Sequence, residues 1–318
     1  MKNFTAIIIG GTGQFGLILS LLLLNKNFKI FITSRYKKKI NILKKKYPHI
    51  NFVKLNIYNK VRLKVLLKKI NPDYIFYFAG QSSPKMSFAK KEQTMKSNYV
   101  GCKNVLKIIF ENNMNTKFYN ASSSEMYGHV KGKITLKTKK NPLNPYGLSK
   151  KKSFELVKKY RERFDLDASN LILFNTESHL RDKNFLISKI CRAAILAYKN
   201  DKKTIINNII TKREWNWCEE QCRFIVKFLK KPPQDFIISN GKSYSIRQML
   251  QYAFGYFNLD YKDFIIIRYK KLKKNEVRNK ISDNLFSLKK NNIKLKHRIY
   301  GKKIIYKMIN YYLQNKTY

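Results

Sequence analysis

Residues 4–9 form a short apolar run, followed by a cluster of glycines and a longer apolar run at 16–24. The first run, bounded by glycine, predicts a fully buried parallel strand. The second is too short to span a bilayer and is closed by Asn25-Lys26-Asn27, so it predicts a helix packed on a sheet. The alternation then continues. Strands are expected over 29–33, 51–55, 73–78, 117–121 and 168–174, and helices over 60–69, 98–112 and 146–160. Strands and helices taking turns in this way make an α/β fold, a doubly wound parallel sheet with helices on both faces. Beyond residue 175 the pattern loosens into mixed helices, loops and short strands, and Pro232-Pro233 marks a turn before a strand at 236–239. No internal repeat is visible.

The glycines between the first strand and the first helix carry the earliest chemical signal. In Gly10-Gly11-Thr12-Gly13-Gln14-Phe15-Gly16, the glycines at 10, 13 and 16 supply a tight turn, close backbone approach to a pyrophosphate and close helix packing. Thr12 and Gln14 lie within the same loop. The reading is therefore a Rossmann dinucleotide-binding domain over 1–174. A smaller, mainly substrate-binding lobe follows over 175–318, with some segments returning to the first domain. Ser34-Arg35 closes the second strand, where an acidic residue would hold the ribose of NAD and a base accommodates the extra phosphate of NADP. Arg35 argues for NADP.

Composition changes this picture in one respect. The hydrophobic share of 44% and aromatic share of 14% exclude general disorder, but the formal charge of +48 is far from ordinary. Such a charge can serve nucleic-acid binding. Here the bases run along the whole chain, are mostly lysine and accompany abundant Asn, Ile and Tyr, which reads as drift toward A/T-rich codons rather than a binding stripe. Nucleic acid is therefore not the expected partner, although the field attracts anionic ligands. Cys102, Cys191, Cys218 and Cys222 make neither a disulfide framework nor a zinc spacing, so reduced packing residues and no metal are expected. With no signal peptide and no membrane partner in view, the expected location is the cytoplasm.

The candidate reaction centre is the stretch 121–150. Ala121-Ser122-Ser123-Ser124-Glu125-Met126-Tyr127-Gly128 brings hydroxyls and a carboxylate to a strand end, and a helix carries Tyr146 and Lys150 four apart, one turn above each other. A neighbouring ammonium favours the phenolate, so such a tyrosine can move a proton near neutral pH. With 21 tyrosines and 67 Lys+Arg the spacing alone arises often by chance, so its weight comes from the surrounding motifs.

Those motifs resemble the extended short-chain dehydrogenase/reductases and, more narrowly, the GDP-mannose 4,6-dehydratase family. They are Gly80-Gln81-Ser82, the run from Ala121, Asn144-Pro145-Tyr146-Gly147-Leu148-Ser149-Lys150 and Leu173-Phe174-Asn175-Thr176-Glu177-Ser178. Further matches are 185–190, Arg213-Glu214-Trp215-Asn216-Trp217, and 234–236 through Tyr244-Ser245-Ile246-Arg247, so the resemblance covers nearly the whole chain.

Position by position, the resemblance implies a GDP-mannose substrate and an NADP that is regenerated in every turnover. Tyr146 takes the proton of the sugar 4-hydroxyl, Lys150 lowers the tyrosine pKa and holds the nicotinamide ribose, and Glu125 removes the C5 proton. Ser123, where the family usually has threonine, hydrogen-bonds the 4-oxygen. Asn56, Ala79, Gln81, Ser82 and Arg181 fall at cofactor positions, and Ser83, Asn175, Lys189, Arg213 and Glu276 at substrate positions. The family forms dimers or tetramers, which implies a homo-oligomer.

The chain departs from the family at Phe15 and Asn56, each commonly aspartate, at Thr176 for histidine, at Gln93 for tyrosine and at Lys273-Lys274 for Arg-Pro. These changes bear on affinity rather than on the chemical core. The alternatives are a related nucleotide-sugar reductase or epimerase, and a non-catalytic basic protein that binds nucleic acid.

Overall fold

Seven parallel strands frame the amino-terminal part of the chain in a computed structural model that describes residues 3–268, 280–283 and 297–318. The strands are β1 (Thr5–Ile9), β2 (Lys29–Ser34), β3 (Asn51–Lys54), β4 (Tyr74–Tyr77), β5 (Lys117–Ser123), β6 (Ala168–Leu173) and a seventh at Asp235–Ile238. Their spatial order is seventh, β6, β5, β4, β1, β2, β3, and every pairing is parallel. The order reverses between β1 and β4, and the crevice beyond the carboxyl ends of such strands is where doubly wound sheets bind ligands. Register brings those ends level, with Ile9 opposite Tyr77 and Tyr77 opposite Asn120.

The connecting helices are α1 (Gln14–Leu24), α2 (Lys37–Lys46), α3 (Lys60–Ile70), α4 (Pro84–Ala89), α5 (Lys91–Met95), α6 (Gly101–Glu111) and α7 (Pro145–Phe164). A single π-helical turn at Lys96–Val100 joins α5 to α6. On one face of the sheet, Ile7, Ile9, Ile75 and Tyr77 pack with Leu63 and Leu67 of α3, Val105 and Ile109 of α6 and Val157 of α7, all buried. On the opposite face of the sheet runs a chain of rings, Phe15, Phe78, Phe76 and Tyr119, the last two stacked at 5.3 Å. Burial of this apolar surface is the main force holding the sheet and its helices together.

The described residues divide into two compact units. The first takes in Met1–Gly128, Leu136–Leu173 and Cys222–Ile238, and the second His129–Thr135, Phe174–Gln221 and Ser239–Tyr318. In the second unit, helices Leu186–Asn200, Ile246–Phe254 and Lys302–Gln314 pack around Ile190, Ala194, Met249, Leu250, Ile305 and Met308. Ser245 and Gln248 form a capping box at the start of Ile246–Phe254, which closes two otherwise open backbone donors. Short strand pairs complete it: Asn175–Glu177 with Trp215–Trp217, Lys212–Arg213 with Tyr244–Ser245, and Thr204–Asn207 with Ile265–Arg268. The buried carboxylate of Glu214 accepts from the backbone of Asn240, Gly241 and Ser282, which joins three separate segments of this unit.

Strand and helix positions expected from the pattern lie within a few residues of those observed, and the strand expected at 236–239 takes its place at the edge of the sheet. All four cysteines are free and buried. Among the described residues no helix is long and apolar enough to cross a membrane, and no three His, Cys, Asp or Glu side chains are grouped to hold a metal.

Candidate active site

The glycine loop sits at the carboxyl end of β1. Gly10 has φ +76°, and a methyl there would lie 2.4 Å from the Ala79 Cα, so this residue must be glycine if β1 and β4 are to end side by side. At Gly13 an added methyl would meet nothing within 4 Å. Gly13 is the N-cap of α1 and provides no side-chain cap, so open space borders the start of the helix at this residue. A phosphate fits such a terminus, and a side chain at 13 would occupy the space it needs. The loop is braced on β2: Gly11 N donates to Thr33 O at 3.2 Å, and Thr12 Oγ1 lies 3.3 Å from Ser34 Oγ. Gly16 and Gln14 both fall in α1. Phe15, in the first turn of α1, packs its ring against Phe78, 5.6 Å away, which explains why an apolar side chain is accommodated there.

Arg35 follows β2 and is exposed, its guanidinium 4.8 Å over the Tyr36 ring and within 2.5 Å of the Tyr36 hydroxyl. Asn56 follows β3, also exposed, and its side chain accepts from Tyr58 N at 3.1 Å, the geometry of an Asx turn.

At the end of β4, Ala79 is buried and Ser82 exposed. The Gln81 amide clasps Ser83, donating to Ser83 O at 2.7 Å and accepting from Ser83 N at 2.8 Å, and Ser83 in turn caps α4. Asn98, fully buried in the π-helical turn, donates to Gln81 O at 3.1 Å and to Ser149 Oγ at 2.9 Å. Ser149 passes the link on to Tyr146 O at 2.7 Å. Asn98 thus connects the β4 loop to the helix of the Tyr/Lys pair. The sequence contains no signal for the π-helical turn that places it, although such turns recur at functional sites.

β5 delivers Ser123, and its end turns directly into one 3₁₀ turn, Ser124–Tyr127, that carries Glu125. Ser123 Oγ accepts from Glu125 N at 3.2 Å. The half-buried Glu125 carboxylate accepts at Oε2 from Asn144 Nδ2, 3.0 Å away. Asn144 is also the N-cap of α7, its Oδ1 accepting from Gly147 N at 2.8 Å, and Pro145 occupies the first helical position, where its missing N–H costs nothing.

α7 buries Tyr146 and Lys150 against this turn. Lys150 Nζ donates to the Ala121 carbonyl at 2.6 Å and lies 5.8 Å from the Tyr146 ring centroid. Burial lowers the Lys150 pKa to about 8, with Cys102 acting in the opposite sense. The ammonium is therefore held at the end of β5 and can lose its charge within a unit or so of neutrality. Ser123, Glu125, Tyr146 and Lys150 are gathered on two facing stretches of one unit.

The other candidate residues belong to the second unit. Asn175 begins the strand paired with Trp215–Trp217, two residues beyond Arg213, so these two positions are close in the fold. Arg213 is half-buried and donates to Lys212 O. Lys189 is exposed in the first turn of Leu186–Asn200 and donates to Ile205 O at 2.8 Å. Arg181 stacks 3.4 Å over the Phe185 ring and pairs at 3.5 Å with the buried Glu177, whose pKa burial raises to about 7 against the pull of Arg181. Thr176 is buried, its hydroxyl 2.7 Å from Gln221 Oε1 and 2.9 Å from Phe174 O. Glu276 and Lys273-Lys274 lie outside the described residues.

Comparison with known proteins identifies the family of the chain. Residues 7–295 match the family model described as GDP-mannose 4,6 dehydratase. The GDP-mannose 4,6 dehydratase of Dictyostelium discoideum is 31% identical over 274 residues, covering 78% of this chain and 74% of its own. That of Vibrio cholerae is 30% identical over 262 residues, covering 78% and 70%. Among solved structures, the dTDP-glucose 4,6-dehydratase of Bacillus anthracis in complex with NAD superposes with a TM-score of 0.85 at 18% identity, over 99% of this chain and 98% of that one. At that identity the likeness is one of fold. The match across residues 7–295 and the relatives at 30% identity or more establish that the chain belongs to the GDP-mannose 4,6-dehydratase family.

Proposed function

We propose that the protein is a hydro-lyase converting GDP-mannose to GDP-4-keto-6-deoxymannose, with NADP as its resident cofactor. The observation that carries this reading is the gathering of Ser123, Glu125, Tyr146 and Lys150 at the carboxyl end of β5, in a chain of this family. The open space at Gly13, the N-cap of α1, suits the cofactor pyrophosphate. Arg35 at the end of β2 suits the extra phosphate of NADP. Bound there, NADP would accept hydride from C4 of the sugar and give it back to C6.

The residues divide the proton work. Tyr146 takes the proton of the 4-hydroxyl, while Ser123 donates to the 4-oxygen and Lys150 supplies the charge that favours the phenolate. The 4-ketone acidifies the C5 proton, which Glu125 removes. Glu125 then returns that proton to the 6-hydroxyl as it leaves, so one water departs and the carboxylate is restored. Tyr146 finally gives the proton it took from the 4-hydroxyl to C5 as hydride reaches C6, which restores the phenolate, so all groups end in their starting state. Gln14, Asn56, Ala79, Gln81, Ser82 and Arg181 are assigned to the cofactor, and Ser83, Asn175, Lys189, Arg213 and Glu276 to the nucleotide sugar. The protein works as a homo-oligomer in this reading.

The test is incubation of the purified protein with GDP-mannose and a trace of NADP+. Loss of one water from the sugar nucleotide without net cofactor reduction is expected. Net accumulation of reduced cofactor would instead favour a related reductase.

A further inference from the structure

Asn144 uses both ends of its amide at once. Its oxygen caps α7 through Gly147 N, and its nitrogen donates to the Glu125 carboxylate. Serine and aspartate cap helices about as well as asparagine. Of these residues, only asparagine combines the cap with an amide donor, which is what an anionic neighbour requires. The cap fixes the oxygen, and because the amide is planar it fixes the nitrogen too.

Glu125 needs such a support. It rides on a single 3₁₀ turn, a short element with few bonds of its own, and its side chain has three rotatable torsions. Ser123 Oγ holds its backbone N–H, and the Asn144 amide holds one oxygen of its carboxylate. A second contact fixes the same pair of elements, because Gly147 packs directly on the Glu125 backbone. Both contacts join the Glu125 turn to the first turn of α7, where Tyr146 sits.

We infer that Asn144 is a positioning residue that orients the Glu125 carboxylate relative to Tyr146, so that the elimination group and the redox group are held as one rigid pair. The inference rests on the dehydratase reading above and adds a residue to it. Its consequence is selective: loss of the amide slows removal of the C5 proton and leaves oxidation at C4 intact.

Two variants separate this role from a structural one. Asn144→Ser keeps the helix cap but is too short to reach Glu125. Asn144→Asp keeps the cap and puts a second carboxylate beside it. For Asn144→Ser the expected result is a melting temperature close to that of the wild type and a KM for GDP-mannose within about threefold. Its kcat should fall by about ten- to a hundredfold, the scale of a slightly misplaced reacting group. In single turnovers, near-ultraviolet absorbance of reduced nicotinamide should build up in Asn144→Ser because elimination lags. The wild type should show no build-up, and Asn144→Asp should turn over more slowly still. If the wild type dehydrates GDP-mannose while Asn144→Ser keeps wild-type kcat, or loses it only in proportion to lost folded protein and with no build-up, the positioning role is overturned. A wild type that does not dehydrate GDP-mannose overturns the underlying reading instead.

Discussion

A methyl added at Gly147 would lie 2.5 Å from the carbonyl oxygen of Glu125, well inside contact distance. The missing side chain lets α7 approach the turn after β5 closely enough for the Asn144 cap, the Glu125 carboxylate and Tyr146 to share one small volume. Replacing Gly147 by alanine must push the helix or the turn away, because the opposing atom is backbone. Overpacking of this kind costs about 1–3 kcal/mol. Denaturant titration of Gly147→Ala should show that loss, together with a fall in kcat.

Lys150 sets an alkaline limit. Its pKa of about 8 in the folded chain lies below the roughly 10.4 of an unfolded lysine. Between those values the unfolded chain holds more protons, so stability rises with pH across this window and the contribution is lost as pH falls through about 8. Thermal melts of wild type against Lys150→Met should show this slope in the former and its absence in the latter. Activity responds in the opposite direction: kcat/KM of the wild type should decline above about pH 8 as the ammonium is lost, and Lys150→Met should lose about 10²- to 10⁴-fold.

Glu177 predicts the reverse pH trend for stability. Burial raises its pKa to about 7, with Arg181 opposing, whereas an unfolded glutamate titrates near about 4.3. Its contribution is complete below the unfolded value and is lost as pH rises through about 7. The decline amounts to a few kcal/mol at most, at about 1.4 per pKa unit. Glu177→Gln should flatten the stability profile between about pH 4 and 7, measured by denaturant midpoints across that range.

Arg35 tests cofactor choice. It is exposed at the end of β2 and restrained by its stack on Tyr36, and the NADP proposal assigns it the extra phosphate. A charge-assisted hydrogen bond is worth about 1.5–3 kcal/mol. Calorimetric titration of Arg35→Ala should show NADP+ binding weakened by about ten- to a hundredfold, with NAD+ binding changed far less.

Much of the sheet was legible because its strands are buried on both faces and read as continuous apolar runs; β1 and β4 are examples. α2 is not legible as a helix because its sequence, Lys-Lys-Lys-Ile-Asn-Ile-Leu-Lys-Lys-Lys, buries only Ile40 and Leu43, too few to show a period among lysines. Leu186–Asn200 is lost in a loosely patterned stretch of the sequence, although its packed face is extensive, because its neighbours are short elements whose order the pattern does not resolve. At the candidate site, the Ser/Glu run and the Tyr146/Lys150 pair are legible by residue type and spacing, and the individual roles of Ser123 and Glu125 are implied by the family resemblance. The supports of these residues are not legible. Asn98 depends on a π-helical turn, and Asn144 on a contact across nineteen residues that no local pattern encodes. A signal for Asn144 did exist, since asparagine before proline at the start of a helix is a capping signature.

The central claim is that hydride leaves C4 and returns to C6 of the same sugar. GDP-mannose carrying deuterium at C4, incubated with the protein and unlabelled NADP+, should give a product lighter by one water with the deuterium retained at C6, as read by mass spectrometry and NMR. Deuterium lost from the sugar into released cofactor, or a sugar nucleotide recovered unchanged, would contradict the account.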